Sequence, residues 1–163
     1  KVDRVSSGYN AGRAKLPIYK MPHLEGWAQS NSTLVVPAAG QHEALLIDLE
    51  TMKEQGRIAL HSQPVFCVAR PDGREVWINF AHPDNDTVQV LDVFTRKIVH
   101  TFRPGPAVLH LEFTPRGHEV WISVRDADRI DIYDVRSREK KAELKAVKPS
   151  GIFFTSRAHR LGV

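Results

Sequence analysis

Eight histidines are the residues best suited to chemistry in this chain of 163. An imidazole titrates near neutrality, so it can give or take a proton, touch a ligand or hold a metal. Metal spacing is missing: there is no His-Glu-x-x-His, and the single cysteine, Cys67, excludes a cysteine-based zinc cluster and an internal disulfide. Nor is there a Gly-rich phosphate loop or a Gly-x-Ser-x-Gly elbow. No metal ligand is therefore assigned. The carboxylate pairs Asp84/Asp86 and Asp126/Asp128 lie in polar loops and read as turn formers or solubilising groups. What remains is proton transfer or ligand contact by histidine, which depends on placement. His23 poses that question most sharply, because "PHLEGWA" crowds it with Gly26 and Trp27 just ahead of the apolar run "TLVVP".

The elements that place these residues come from an internal repeat. "RPDGREVWINFAHPDNDTVQVLDVFTRK" (70–97) and "TPRGHEVWISVRDADRIDIYDVRSRE" (114–139) share Pro-x-Gly, Glu-Val-Trp-Ile, a polar loop and an alternating run closed by Asp-Val. Trp77 and Trp121 stand 44 apart, and Asp92 and Asp134 stand 42 apart, the first loop being two residues longer. A fainter copy, "NSTLVVPAAGQHEALLIDLETMK" (31–53), puts Asp48 44 residues before Asp92. Each unit resolves into four short strands; in the second they fall at about 64–70, 75–81, 87–93 and 97–102. Asp48, Asp92 and Asp134 each precede Thr51, Thr95 or Ser137 by three residues, the spacing of an aspartate that accepts backbone N–H groups within a turn.

Four-stranded units of this period define an all-β fold of β-propeller blades, each with its first strand on the central axis. The units run at about 23–60, 61–104 and 105–147, and 148–163 reads as the first strand of a further blade. Three and a half blades do not close a ring, so either further blades belong to a longer chain or a second copy supplies them. Uncovered edges and blade faces predict self-association of this fragment. Within such a blade His23 and His61 fall in loops between blades, and His42 and His82 fall in loops between second and third strands. All four then emerge on one face around the axis. His100 in an outer strand and His118 in the opposite turn read as structural or solvated, and His110 on an inner strand faces the channel or a neighbouring blade.

Composition is that of a soluble globular protein, with 42% hydrophobic and 26% charged residues and no apolar run long enough to span a membrane. Net charge is +4, and eight Lys/Arg face two Glu from Arg136 onward. No stacked aromatic stripe or nucleic-acid motif accompanies them, so nucleic acid is not a predicted partner. They read as a solvated strand and turn, or as guanidinium groups for a ligand's carboxylates. Cys67 in "VFCVA" reads as an inert buried packing residue.

The segments "YKMPHLEGWA" and "KPSGIFFTSRAHRLGV" resemble the C-terminal part of the NirF family of heme d1 biosynthesis proteins. That family is related to the d1-binding propeller domain of the heme-d1 nitrite reductase and to the dehydrogenase NirN. The resemblance implies half of an eight-bladed propeller and a ligand that is heme d1 or a late precursor tetrapyrrole. The reductase carries a similar His-x-Gly-Gly-Trp segment on the distal side of its heme, matched here by His23, Gly26 and Trp27, with Glu25 replacing the first glycine. Its second distal histidine is matched by His61, ten residues before Pro71, although Gln63 and Pro64 stand where the reductase has glycines and an arginine. His82 is one residue away from a third. The resemblance thus implies His23, Trp27, His61 and His82 as ligand contacts, Arg125 for a carboxylate, and His23 and His61 as acid and base. It also implies the periplasm, and other heme d1 biosynthesis proteins and nitrite reductase as partners. Modification and carriage of the tetrapyrrole both remain open. A cofactor-free propeller serving as a protein-interaction scaffold is the alternative.

Overall fold

A computed structural model describes residues 12–14, 16–18, 26–38 and 40–154. These build three antiparallel sheets of four strands each. The first holds β1 (Ala28–Ser30), β2 (Thr33–Ala38), β3 (Glu43–Asp48) and β4 (Glu54–Ala59). The second holds β5 (Pro64–Ala69), β6 (Glu75–Phe80), β7 (Val88–Asp92) and β8 (Lys97–Phe102). The third holds β9 (Val108–Phe113), β10 (Glu119–Val124), β11 (Arg129–Asp134) and β12 (Lys140–Lys145), with one 3-10 turn at Arg125–Ala127. Strand order within each sheet is simply sequence order, so each is an up-and-down meander, the blade of a propeller. The inner strands β1, β5 and β9 pack side by side, and the Cys67 N–H bonds the Gly26 carbonyl across the first junction at 2.8 Å.

Alternation along each strand sends side chains to two different junctions. In β6, Val76, Ile78 and Phe80 enter the core shared with the first blade, while Trp77 enters the core shared with the third. In β7, Leu91 faces the first core and Val88 and Val90 the second. Every residue of β6 is buried, whereas every residue of β12 is exposed, so burial falls from the interior of the array to its lysine-rich outer edge. Cys67 is 1% exposed, and burial pushes its thiol pKa well up, which makes it an inert packing group.

The turn aspartates act as their spacing predicts. Thr51 N–H bonds Asp48 Oδ1 at 2.7 Å, Thr95 N–H bonds Asp92 Oδ1 at 2.9 Å, and Ser137 N–H bonds Asp134 Oδ1 at 2.8 Å. Each turn then carries a residue at positive φ: Met52, Arg96 and Arg138. The Glu-x-Trp pairs repeat just as closely, with Trp77 Nε1 donating to Glu75 and Trp121 Nε1 donating to Glu119 at 3.2 and 3.3 Å. Residues 148–154 form no strand, yet Ile152 is buried and its N–H bonds His110 Nδ1 at 3.2 Å. Residues 155–163 lie outside the described residues.

Candidate functional site

His61 sits in the linker from β4 to β5, at the end of the sheets where the inner strands begin. Its backbone is fastened from several sides. Leu60 N–H bonds the His42 carbonyl at 2.8 Å, His61 N–H bonds Gln89 Oε1 at 2.9 Å, and Ala81 N–H bonds the Gln63 carbonyl at 2.9 Å. The imidazole meets the buried Phe80 ring edge-on at 5.7 Å, and its Nε2 lies 3.8 Å from Asp84 Oδ1. One third of the side chain remains exposed, so the ring is held yet open to a ligand.

Next to it, at the junction of the second and third blades, lies a pocket of about 320 Å³. Val65, Phe80, Ala81, Val108 and Leu109 give it apolar walls. Asn79, His82, Asn85 and Arg125 supply its polar groups. Asn79 is 1% exposed; its Nδ2 donates to the Val108 carbonyl at 2.9 Å, and its Oδ1 is buried without a hydrogen-bond partner. Such an acceptor costs free energy until a donor reaches it. A trace of Asn79 was in the sequence as a polar residue inside the apolar run "VWINF". Ser123 holds the same place in the third blade, where its hydroxyl is satisfied within that blade by the His110 backbone.

The sequence-predicted residues are thus partly gathered. His82 and Arg125 line the pocket, and His61 joins it through Phe80. Trp27 stands 49% exposed at the entry to β1, on the first blade and away from this pocket. His23 lies outside the described residues. His110 settles against a neighbouring blade, its ring 4.8 Å from that of Phe66 on β5. His100 stacks on Phe102 in the outer strand, and burial, assisted by the Arg138 charge, lowers its pKa.

Charge on this rim is balanced. Arg125 is clamped by its neighbour Asp126 at 2.9 and 3.3 Å, and that bond holds the guanidinium pKa above, and the carboxyl pKa below, their ordinary values. Lys148 lies 3.7 Å from Asp126 and 3.8 Å from Asp128, and Arg103 lies 3.8 Å from Asp86. Three lysines of the basic surplus sit elsewhere: Lys140, Lys141 and Lys145 are on the outer strand β12, where Lys140 reaches Asp131 and Lys141 reaches Glu119, both at 2.8 Å. Among the described residues no group of His, Cys, Asp or Glu is arranged to hold a metal ion, and no helix is long and apolar enough to cross a membrane.

Comparison with known proteins places this architecture. Residues 1–158 match the family model for the cytochrome D1 heme domain. The chain belongs to the cytochrome D1 heme domain family. Within that family it is 49% identical to Protein NirF of Stutzerimonas stutzeri and to Protein NirF of Pseudomonas aeruginosa, each over 99% of the chain. It spans 41% of the length of each of these curated relatives. The dihydro-heme d1 dehydrogenase of Pseudomonas aeruginosa is 30% identical over 85% of the chain and 30% of that relative. Among solved structures, the dihydro-heme d1 dehydrogenase NirN in complex with DHE superposes with a TM-score of 0.70 at 28% identity, over 83% of this chain and 31% of that one. Kuenenia stuttgartiensis hydrazine synthase superposes with a TM-score of 0.64 at 20% identity, over 94% of this chain and 41% of that one, a likeness of fold alone.

Proposed function

We propose that this d1-domain chain forms part of a tetrapyrrole-binding propeller that acts late in heme d1 biosynthesis, with heme d1 or a late precursor as its ligand. The carrying observation is the rim between the second and third blades, where a pinned, partly exposed His61 stands beside a pocket lined by His82 and Arg125. The match of residues 1–158 to the cytochrome D1 heme domain and the likeness to NirN in complex with DHE support that ligand class. The pocket has the size of a side arm, and His61 with the pocket-lining His82 and Arg125 would hold the macrocycle at this rim. Bound there, the group would supply a conjugated ring whose redox state and substituents can change. The chain's residues orient it: Phe80 and Asp84 hold the His61 ring, and the family resemblance adds His23 and Trp27 as contacts outside this pocket. In this reading His23 and His61 give and take protons at the macrocycle's edge.

The same reading treats the three blades as part of an eight-bladed ring, working in the periplasm with other heme d1 biosynthesis proteins and nitrite reductase. Titration of a full-length protein with heme d1 or its dihydro precursor is expected to shift the Soret band. His23→Ala combined with His61→Ala is expected to abolish that shift. This chain alone is expected to bind weakly and to self-associate, which solution mass measured alongside will show. A full-length protein that leaves the Soret band unmoved would put the cofactor-free scaffold first.

A further inference from the structure

The linker from β4 to β5 is fastened in two different ways. At its ends, Leu60 N–H and the Gln63 carbonyl are tied to backbone partners. In between, His61 N–H is taken by a side chain, Oε1 of Gln89 on β7, at 2.9 Å. That amide is itself oriented. Its Nε2 donates to Thr101 Oγ1 on β8 at 3.2 Å, which leaves Oε1, the acceptor, facing His61. A half-buried glutamine thus carries a hydrogen bond from the outer strand to a rim residue whose imidazole is open.

The third blade offers a control. Gly105 and Asp131 stand 44 and 42 residues after His61 and Gln89, the offsets of the repeat. Asp131 holds Arg129 at 2.8 Å, and Arg129 donates to the Pro104 carbonyl at 2.9 Å. There too the third strand secures the linker ahead of its own blade. That linker has no room for a side chain at the histidine's place, because a Cβ on Gly105 would lie 2.9 Å from Val124 and 3.1 Å from Arg129. One device therefore serves both linkers, and in the second blade it is an acceptor matched to the N–H of a residue that carries a ring.

We propose that Gln89 is the positioning residue of His61: through Oε1 it fixes the histidine's backbone, and with it the imidazole, where a ligand meets the rim. The inference rests on the tetrapyrrole reading above for the identity of that ligand. Phe80 and Asp84 restrict the ring, and Gln89 restricts the Cα that carries it. A binding group already held in place gives up less freedom when its ligand arrives, so this bond raises affinity without touching the ligand.

The test compares Gln89→Leu, which keeps the bulk and loses the acceptor, with Gln89→Glu, which keeps an acceptor oxygen at the same reach. In the isotopically labelled chain, Gln89→Leu is expected to move the His61 ring signals in NMR spectra, and Gln89→Glu to leave them near their original positions. In a full-length protein titrated with heme d1, Gln89→Leu is expected to weaken the affinity read from the Soret band about fivefold to tenfold, and Gln89→Glu to restore it to within about threefold. Placed on His61→Ala, Gln89→Leu is expected to cost no further affinity, whereas a general structural role would cost the same in both backgrounds. Unmoved His61 ring signals, or equal losses with and without the histidine, overturn the positioning role. If Gln89→Leu fails to fold, amide exchange in the unaltered chain decides. The His61 N–H should exchange at least about tenfold more slowly than an unstructured amide, and an unprotected one overturns the proposal. A Soret shift that Gln89→Leu leaves unchanged overturns the positioning role while the tetrapyrrole reading stands. No Soret shift in the unaltered full-length protein, with His61 ring signals that still follow Gln89, removes that reading and leaves Gln89 as the residue that places His61.

Discussion

Trp77 and Trp121 occupy the same place in successive repeats, yet they meet different surroundings. Trp77 is fully buried at the junction of the second and third blades, edge-on to Phe102 and Phe113 at 5.6 Å each. Trp121 is half-buried on the outer face of the third blade, where Phe154 meets it edge-on at 5.3 Å. Phe113 and Phe154 are 41 residues apart and meet their tryptophans at 83° and 81°. The repeated contact is therefore one device: an aromatic from the segment that follows a blade closes on that blade's tryptophan. At the first site a whole blade backs the contact, and at the second, among the described residues, the segment 148–154 does. The strength of a blade thus depends on what its neighbour covers, a property of stacked repeats.

Truncation of the two tryptophans is the sharpest way to break this comparison. Trp77→Ala removes a fully buried indole and is expected to cost about 3–5 kcal/mol. Trp121→Ala is expected to cost about 1–2 kcal/mol, because part of its surface already faces water. Equilibrium denaturation in urea measures both. Equal losses would mean that blade–blade burial does not set stability here.

The blade repeat was readable because it is written locally, as alternation, turn aspartates and Glu-x-Trp pairs within some forty residues. Its rim was readable only in part. His61 and His82 could be placed because topology alone puts their loops at one end. Arg125 was assigned to a ligand's carboxylate; in the structure two of its N–H groups also bond the next residue, Asp126, in the 3-10 turn Arg125–Ala127. Asn79 escaped notice. Its amide bonds the next blade's Val108, 29 residues on, and no local pattern reports which of its two polar atoms that partner leaves over. The basic run after Arg136 was legible as a solvated strand, and β12 is exposed along its whole length.

A second pair sharpens the comparison at the carboxylates beneath the tryptophans. Glu75 is buried and receives Arg138 from the third blade at 2.9 Å, so this ion pair crosses the junction. Glu119 receives Lys141 from its own blade at 2.8 Å, in a more exposed setting. Arg138→Ala leaves a buried carboxylate short of a partner and is expected to destabilise by about 1–3 kcal/mol. Lys141→Ala is expected to change stability by less than about 1 kcal/mol. Double-mutant cycles with Glu75→Gln and Glu119→Gln would separate pairing from packing. A coupling for Lys141 as large as that for Arg138 would contradict a junction-centred account.

The smallest contrast concerns acid. In the second blade, burial opposes ionisation of Asp92, but the Thr95 N–H and hydroxyl and the Arg74 guanidinium outweigh it, and its pKa is lowered. In the third, the Ser137 N–H leads the groups that lower the pKa of Asp134, which lies open to water. Both groups bind fewer protons when folded than when unfolded at the same pH. Their stabilisation is therefore complete above the unfolded carboxyl's value of about 3.9 and is lost as pH falls through the lower folded value. Asp92→Asn and Asp134→Asn should each flatten the loss of stability below about pH 4. The flattening should be greater for Asp92, which Arg74 supports by a hydrogen bond as well as by charge, whereas Lys141 acts on Asp134 by charge alone. Denaturation midpoints collected between neutral and acid pH would reverse the account if Asp134→Asn proved the more acid-tolerant variant.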